Sequence, residues 1–370
     1  MSRMTIGLLS EEAHVAEDNT GVLEMNSDLG GERVIELSAD CLSMDTLQEV
    51  ALDRPDDAMN EGEAKLASAA LEAILNKYSA ELPPSLGVES LMGHGMARRQ
   101  LANQSAHVKA QLLQNRAVAM EGWFDKLKMR ADSYTTSWAK IDARYEEVVR
   151  RYEEKGCLPQ DTVLNGPFTS VLSQKGGSTL TAKEAIDNLG KITKVLSDPN
   201  VAVLMKDLVR FIEEVEDNVR SNWFIASGET VLNIKGIGKN AEGIRDRLNV
   251  IAGDAKQSNT ETTAEPIQER DLVKIKQARE ALRHRTDLDD IARDFKKATA
   301  RSDGFMLLNS KIRLMQFVPL PGSGLLASDI RNGIVVQSKI TSIFGIISDL
   351  IAQRDHALYA LNVWISKSTA

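Results

Sequence analysis

Apolar residues along this chain recur at steps of three and four over most of its length, the period of a helix with one buried face. Ala131, Tyr134, Trp138, Ile141, Tyr145, Val148 and Tyr152 form one such stripe, with Glu146, Glu147, Arg150, Arg151 and Glu153 on other faces. No proline falls between Pro84 and Pro159, so the pattern predicts a single long helix over residues 96–154. Gly156, Pro159, Gly166 and Pro167 punctuate the chain before the pattern resumes over 179–196 with Ile186, Leu189, Ile192 and Leu196. Ser197, Asp198 and Pro199 then supply cap and first-turn chemistry for a helix whose stripe is Leu204, Leu208, Phe211, Ile212, Val215 and Val219.

Residues 229–251 repeat Val231, Ile234, Ile237, Ala241, Ile244, Leu248 and Ile251, although Gly236, Gly238 and Gly243 weaken this segment as a helix. The polar, aperiodic run 253–266 predicts a flexible loop. A charged helix follows on Leu272, Ile275, Ala278, Leu282, Leu288, Ile291 and Phe295. After Pro319, Pro321, Gly322 and Gly324, residues 325–367 run through Ile330, Ile334, Ile340, Phe344, Ile347, Ile351, Leu358, Leu361 and Ile365 as one long or once-bent helix. No alternating strand is evident. The fold class expected is all-α, an elongated bundle of about six or seven long helices whose antiparallel neighbours share one core.

Composition adds a division to this pattern. The net charge of -8 splits unevenly: residues 1–89 hold 19 Asp plus Glu against 5 Lys plus Arg, and residues 90–370 hold 34 against 40. The first 60 residues contain no aromatic side chain, so they are expected to be mobile and to contribute few buried contacts, their deletion changing stability little. Within the acidic part, 63–78 places Leu66, Ala70, Leu71, Ile74 and Leu75 on one helical face before Pro83 and Pro84 stop it. That helix reads either as a docking element or as a helix folded back on its own body. Two regions result: an acidic, largely disordered 1–89 and a helical body 90–370.

Candidate chemistry is sparse. His14, His94, His107, His284 and His356 form no metal-ligand spacing, and Cys41 and Cys157 are too few for a disulfide framework or a zinc site. No GxSxG occurs, and residues 236–240 (GIGKN) lack the leading glycine and trailing hydroxyl of a phosphate loop. No catalytic residue, cofactor site or metal site is assigned. Lys and Arg interleave with the aromatic stripe at 123–152, as in a stacking platform, but one-sided periodicity favours a bundle core. Arg98, Arg99, Lys311 and Arg313 are candidates for non-specific contact with DNA phosphates. The run 340–352 (ITSIFGIISDLIA) is the most apolar, and Lys339 and Asp349 confine it, favouring a core helix over an interfacial membrane helix.

An acidic N-terminal segment ending near Gly87-Val88-Glu89, joined to a long-helical body that closes on the run 354–359 (RDHALY), resembles the internal head proteins of large tailed bacteriophages. The resemblance implies that the acidic part is a propeptide, removed by the prohead protease after the Glu of a small residue, any residue, Glu motif. Gly87, Glu89 and Ser90 would then be the recognition residues. The same triplet recurs at 70–72, 79–81, 119–121 and 182–184, but Glu89 stands after two prolines where the charge changes sign. The implied role is a non-enzymatic virion structural protein of the head interior, present in host cytoplasm during assembly. Its partners would be the protease, other head proteins, packaged DNA through non-specific contact and further copies of itself, with no cofactor and no membrane. The alternatives are a membrane-associated helical bundle with 340–352 as its insertion element, and an enzyme whose site is dispersed over several helices.

Overall fold

The computed structural model describes residues 31–52, 61–81, 98–158, 160–164, 171–172, 179–221, 226–252, 262–284, 288–300, 302–315 and 324–369. Among them the first half of the chain forms α1 (Gly31–Leu52), α2 (Glu61–Lys77), α3 (Arg98–Lys155), β1 (Thr162–Leu164), α4 (Ala182–Leu196) and α5 (Pro199–Ser221). The second half forms α6 (Gly228–Ala252), β2 (Thr262–Ala264), α7 (Glu269–His284), α8 (Leu288–Ala300), α9 (Ser302–Met315) and α10 (Gly324–Lys367). The all-α class expected from periodicity is therefore observed.

Two helices organise the rest. The proline-free stretch is one helix of 58 residues, α3, about 87 Å long at 1.5 Å per residue. It stops at Gly156, whose φ of +80° is open to glycine and whose N–H bonds to the Tyr152 carbonyl at 2.8 Å. The C-terminal helix α10 runs 44 residues without a break. The two lie parallel and in register, because Arg116 bonds to Gln337 and Asn362 bonds to the Ile141 carbonyl, each pair 221 residues apart. Trp123 and Phe344 meet edge-on at 6.2 Å between the same two contacts. Between residues 328 and 367 only Ser328, Asp349, Ser366 and Lys367 of α10 are exposed, so other helices surround it on all sides.

The shell around this pair follows from amphipathic stripes and caps. Helix α1 runs antiparallel to α3 in the most extensive packing of the molecule, with Val34, Leu37, Cys41 and Met44 fully buried. Helix α6 covers another side of α10, and α8 reaches α3 through Phe295, which sits 5.9 Å from Tyr134 and 5.2 Å from Phe344. Helix α4 starts where Thr181 accepts from the Glu184 N–H at 3.2 Å, an N-cap satisfying a free helix donor. Asp198 does the same before α5, accepting from the Asn200 N–H at 2.9 Å. The stripe expected for α5 is buried as a set.

Where α3 and α10 end, a small ribbon closes the bundle. β1 pairs antiparallel with β2, Thr162 opposite Ala264, and Leu158 donates to the Ser368 carbonyl at 2.9 Å. Trp364 Nε1 donates to the Glu265 carbonyl at 2.9 Å, tying the last turns of α10 to the same ribbon.

Several expectations are corrected. Ten helices rather than six or seven lie among the described residues, because 285–287 divide the predicted charged helix into α7 and α8 and because α1 and α9 were not foreseen. The acidic segment is not a uniformly mobile arm: 31–52 and 61–77 are helices, and α1 is part of the core. Helix α2 folds back on the body, but its face is rotated from the one expected, burying Ala67, Leu71, Ile74, Leu75 and Tyr78 and leaving Leu66 76% exposed. The glycines of α6 do not break it. The predicted loop 253–266 holds strand β2, while 253–261 lie outside the described residues, as do 1–30 and 53–60.

Burying the four core side chains of α1 is worth about 6–12 kcal/mol before entropy, at roughly 1.5–3 kcal/mol each. Deleting residues 1–60 is therefore expected to lower stability by at least about 5 kcal/mol, a large part of a normal domain's total. Thermal unfolding followed by circular dichroism measures this, and an unchanged midpoint would place α1 outside the cooperative core.

Candidate functional site

The most distinctive chemistry of the molecule is a line of polar side chains inside the contact of α3 with α10. On α10, Thr341, Ser348, Asp355 and Asn362 follow one another at seven-residue spacing, and all are buried. Arg116, Trp123 and Arg130 repeat the same spacing on α3 and are also buried. A seven-residue period keeps a seam facing its partner along two parallel helices. Each polar group then meets an answering one. Arg116 Nε donates to Ser38 Oγ of α1 at 2.8 Å, and its NH2 donates to Gln337 Oε1 at 2.6 Å, so one guanidinium joins three helices. Arg130 donates to Ser348 Oγ at 2.9 Å, and the Tyr134 hydroxyl donates to the Ser348 carbonyl at 3.0 Å.

A second cluster lies where α7 and α8 approach the pair. Arg354, with no solvent exposure, donates to Asp289 at 2.7 Å and to Asp355 at 3.0 Å. Asp289 also takes Arg283, which reaches Asp142 of α3 at 2.9 Å, and Arg279 bonds to the other oxygen of Asp142. The same two arginines lie over aromatic faces, Arg279 at 3.5 Å from the Tyr145 ring and Arg283 at 4.4 Å from that of Trp138. This corrects the reading of the aromatic stripe as uniform core: Tyr134 and Tyr152 are buried, whereas Trp138 and Tyr145 are half-buried and covered by guanidinium groups. Lysine could not make these planar, two-pronged contacts.

Electrostatics follow from burial. Burial lowers the Arg116 pKa to about 10, which leaves it charged at neutral pH. Burial would raise Asp289, but Arg283 and Arg354 overcome it and hold its carboxyl below the usual range. The Cys41 thiol is pushed up to about 12 by burial, so it is protonated and inert, as expected of both cysteines. His356, largely buried and near Arg130, is lowered to about 4. Among the described residues no group of three or more His, Cys, Asp or Glu is placed to hold a metal ion.

The residues singled out from sequence are not brought together. Arg98 and Arg99 open α3, with their side chains outside the described residues, while Lys311 and Arg313 stand on α9. Helix α9 meets α3 at Ala117, where Asn309 bonds to its carbonyl, 19 residues and about 28 Å along the helix from Arg98. Lys311 is a correction: its ammonium donates to the Val219 carbonyl near the end of α5, so it serves as a helix cap. Arg313 is exposed. Gly87, Glu89 and Ser90 lie outside the described residues, between α2 and α3. Residues 236–240 are interior to α6. Sequence reasoning missed the buried arginines, although polar residues at a regular seven-residue spacing inside the most apolar helix were a readable signal.

Arg354→Ala is expected to cost about 3–5 kcal/mol by leaving two aspartates without their common partner, whereas Arg150→Ala, on an exposed pair 3.9 Å from Glu154, changes stability by less than about 0.5 kcal/mol. Chemical denaturation of both variants checks the contrast. His356 generates a pH dependence. Its folded pKa lies below the ordinary 6.5, so the unfolded chain binds the extra proton first, and stability falls as pH drops from about 6.5 to about 4. The loss is about 3 kcal/mol by linkage, and His356→Gln should flatten that part of the stability curve. Comparison with known family models, with curated proteins and with solved structures gives no match to this chain.

Proposed function

We propose that the chain is a non-enzymatic structural protein of the interior of a large tailed-phage head, with an N-terminal part that a protease supplied in trans separates from the body. The observation that carries this reading is the charge boundary: 19 acids against 5 bases before residue 90 and 34 against 40 after it, with the Gly87-Val88-Glu89 triplet at the crossing. The bundle is consistent with such a role, since Arg116, Arg279, Arg283 and Arg354 spend their charge on neighbouring helices. Other head proteins and further copies of the chain are the proposed partners, and packaged DNA a non-specific one. Arg98, Arg99 and Arg313 remain the proposed phosphate contacts, and Lys311 does not.

A second reading, a membrane-active bundle, has one observation in its favour: the helix spanning Ser328–Lys367 is long and apolar enough to cross a bilayer. Against it, α10 buries Arg354 and Asp355 in paired contacts that lipid would not replace. Leakage of dye from anionic vesicles tests it directly.

For the first reading, protein taken from mature virions is expected to begin at Ser90 by mass spectrometry of its N-terminus. Glu89→Gln is expected to persist uncut, the protease having lost the carboxylate it reads. An intact N-terminus in virions, with no product beginning near residue 73, 82 or 90, overturns the reading.

A further inference from the structure

The seat of α1 has the construction of a binding groove. The helix enters at Gly31, where an added Cβ would lie 3.1 Å from Trp123 Nε1 and 3.3 Å from Thr341 Cγ2, so its first turn is pressed against α3 and α10 together. Further along, Ser38 accepts from buried Arg116, Asp45 pairs with Lys109, and Glu49 pairs with Arg331 of α10. Three basic side chains of the body thus meet polar or acidic groups of α1, around the fully buried Leu37, Cys41 and Met44. Helix α2 is clasped to α1 in turn. Lys77 reaches Glu36 at 2.9 Å and Asp40 at 2.6 Å, and the Tyr78 hydroxyl donates to Asp40 at 2.6 Å. Glu81, just before the segment that leads to α3, accepts from Asn115 of α3 at 3.3 Å.

We propose that the face shared by α3 and α10 is a binding site for an acidic amphipathic helix, and that it keeps the α1–α2 hairpin seated after the chain between α2 and α3 is cut. The proposal rests on the processing reading for its biological occasion, but not for its physics. Cutting one connection removes the high effective concentration of a tethered helix and leaves every contact in place, so retention is decided by the groove alone. Its consequence concerns charge. A released body carries +6, whereas a nicked assembly that retains residues 1–89 keeps the net -8 of the whole chain. Processing at Glu89 therefore does not by itself turn the protein toward DNA; a separate event must eject the hairpin, and doing so uncovers a groove lined by Lys109, Arg116 and Arg331.

The test places the recognition sequence of an unrelated site-specific protease at residues 85–92 of the full chain and cuts it at low micromolar concentration. Native mass spectrometry is expected to show one particle holding both fragments, which elutes from an anion exchanger at pH 7 with the uncut protein. Hydrogen exchange over residues 34–45 is expected to change less than twofold. A body that appears alone and binds a cation exchanger, or that precipitates while the fragment stays in solution, overturns the proposal, since either result means that the hairpin left its seat. Arg331→Glu, on a partly exposed side chain, is expected to speed fragment loss at least tenfold after cutting, and Arg331→Lys to restore retention. Equal retention in wild type and Arg331→Glu would overturn the charge-reading groove. Because the cut site is introduced, these results are independent of whether virion protein begins at Ser90.

Discussion

The structure depends on the parallel, in-register contact between α3 and α10. A helix as apolar as α10 is unstable in water unless it is covered, and one neighbour covers only one stripe. The constant offset of 221 residues between facing positions gives α10 a partner along much of its length, and α1, α6 and α9 close the remaining sides. Its length then sets the size of the molecule. Short helices could not sheath it, which is why a 58-residue α3 is required.

Within that contact, polarity confers register. A purely apolar seam tolerates sliding by a turn, because leucine and isoleucine surfaces are nearly equivalent. Ser348 bound to Arg130 and Gln337 bound to Arg116 are not: a shift of four residues would bury each arginine without its partner. Burying these charges contributes little net stability, and their value lies in penalising the alternatives. The Arg354, Asp289, Arg283 and Asp142 chain extends the same logic outward, fixing α7 and α8 against the central pair.

The position of α1 changes the meaning of the acidic segment. Composition alone makes residues 1–89 look like a detachable solvated arm, yet residues 31–52 supply core side chains and answer three basic groups of the body. A sequence can be acidic overall and still present an apolar stripe; in α1 that stripe is Val34, Leu37, Cys41 and Met44. Removal of this segment is thus an event of the bundle core as well as of its charge.

Local information in the sequence determined the all-α class, the long helix ending near Gly156, the capped start of α5 and the burial of its stripe, because period, proline and caps act within a few residues. It also marked where the net charge changes sign. The tertiary structure decided which faces pair. The face of α2 turned away from Leu66 because Tyr78 and Lys77 found Asp40, and Trp138 became half-buried because Arg283 covers its ring. Lys311 looked like a free cation until the end of α5 was placed beside it. Partners more than 30 residues apart leave no short-range signature, so the buried arginines, the parallel register of α3 and α10 and the seat of α1 became visible only when the chain was folded.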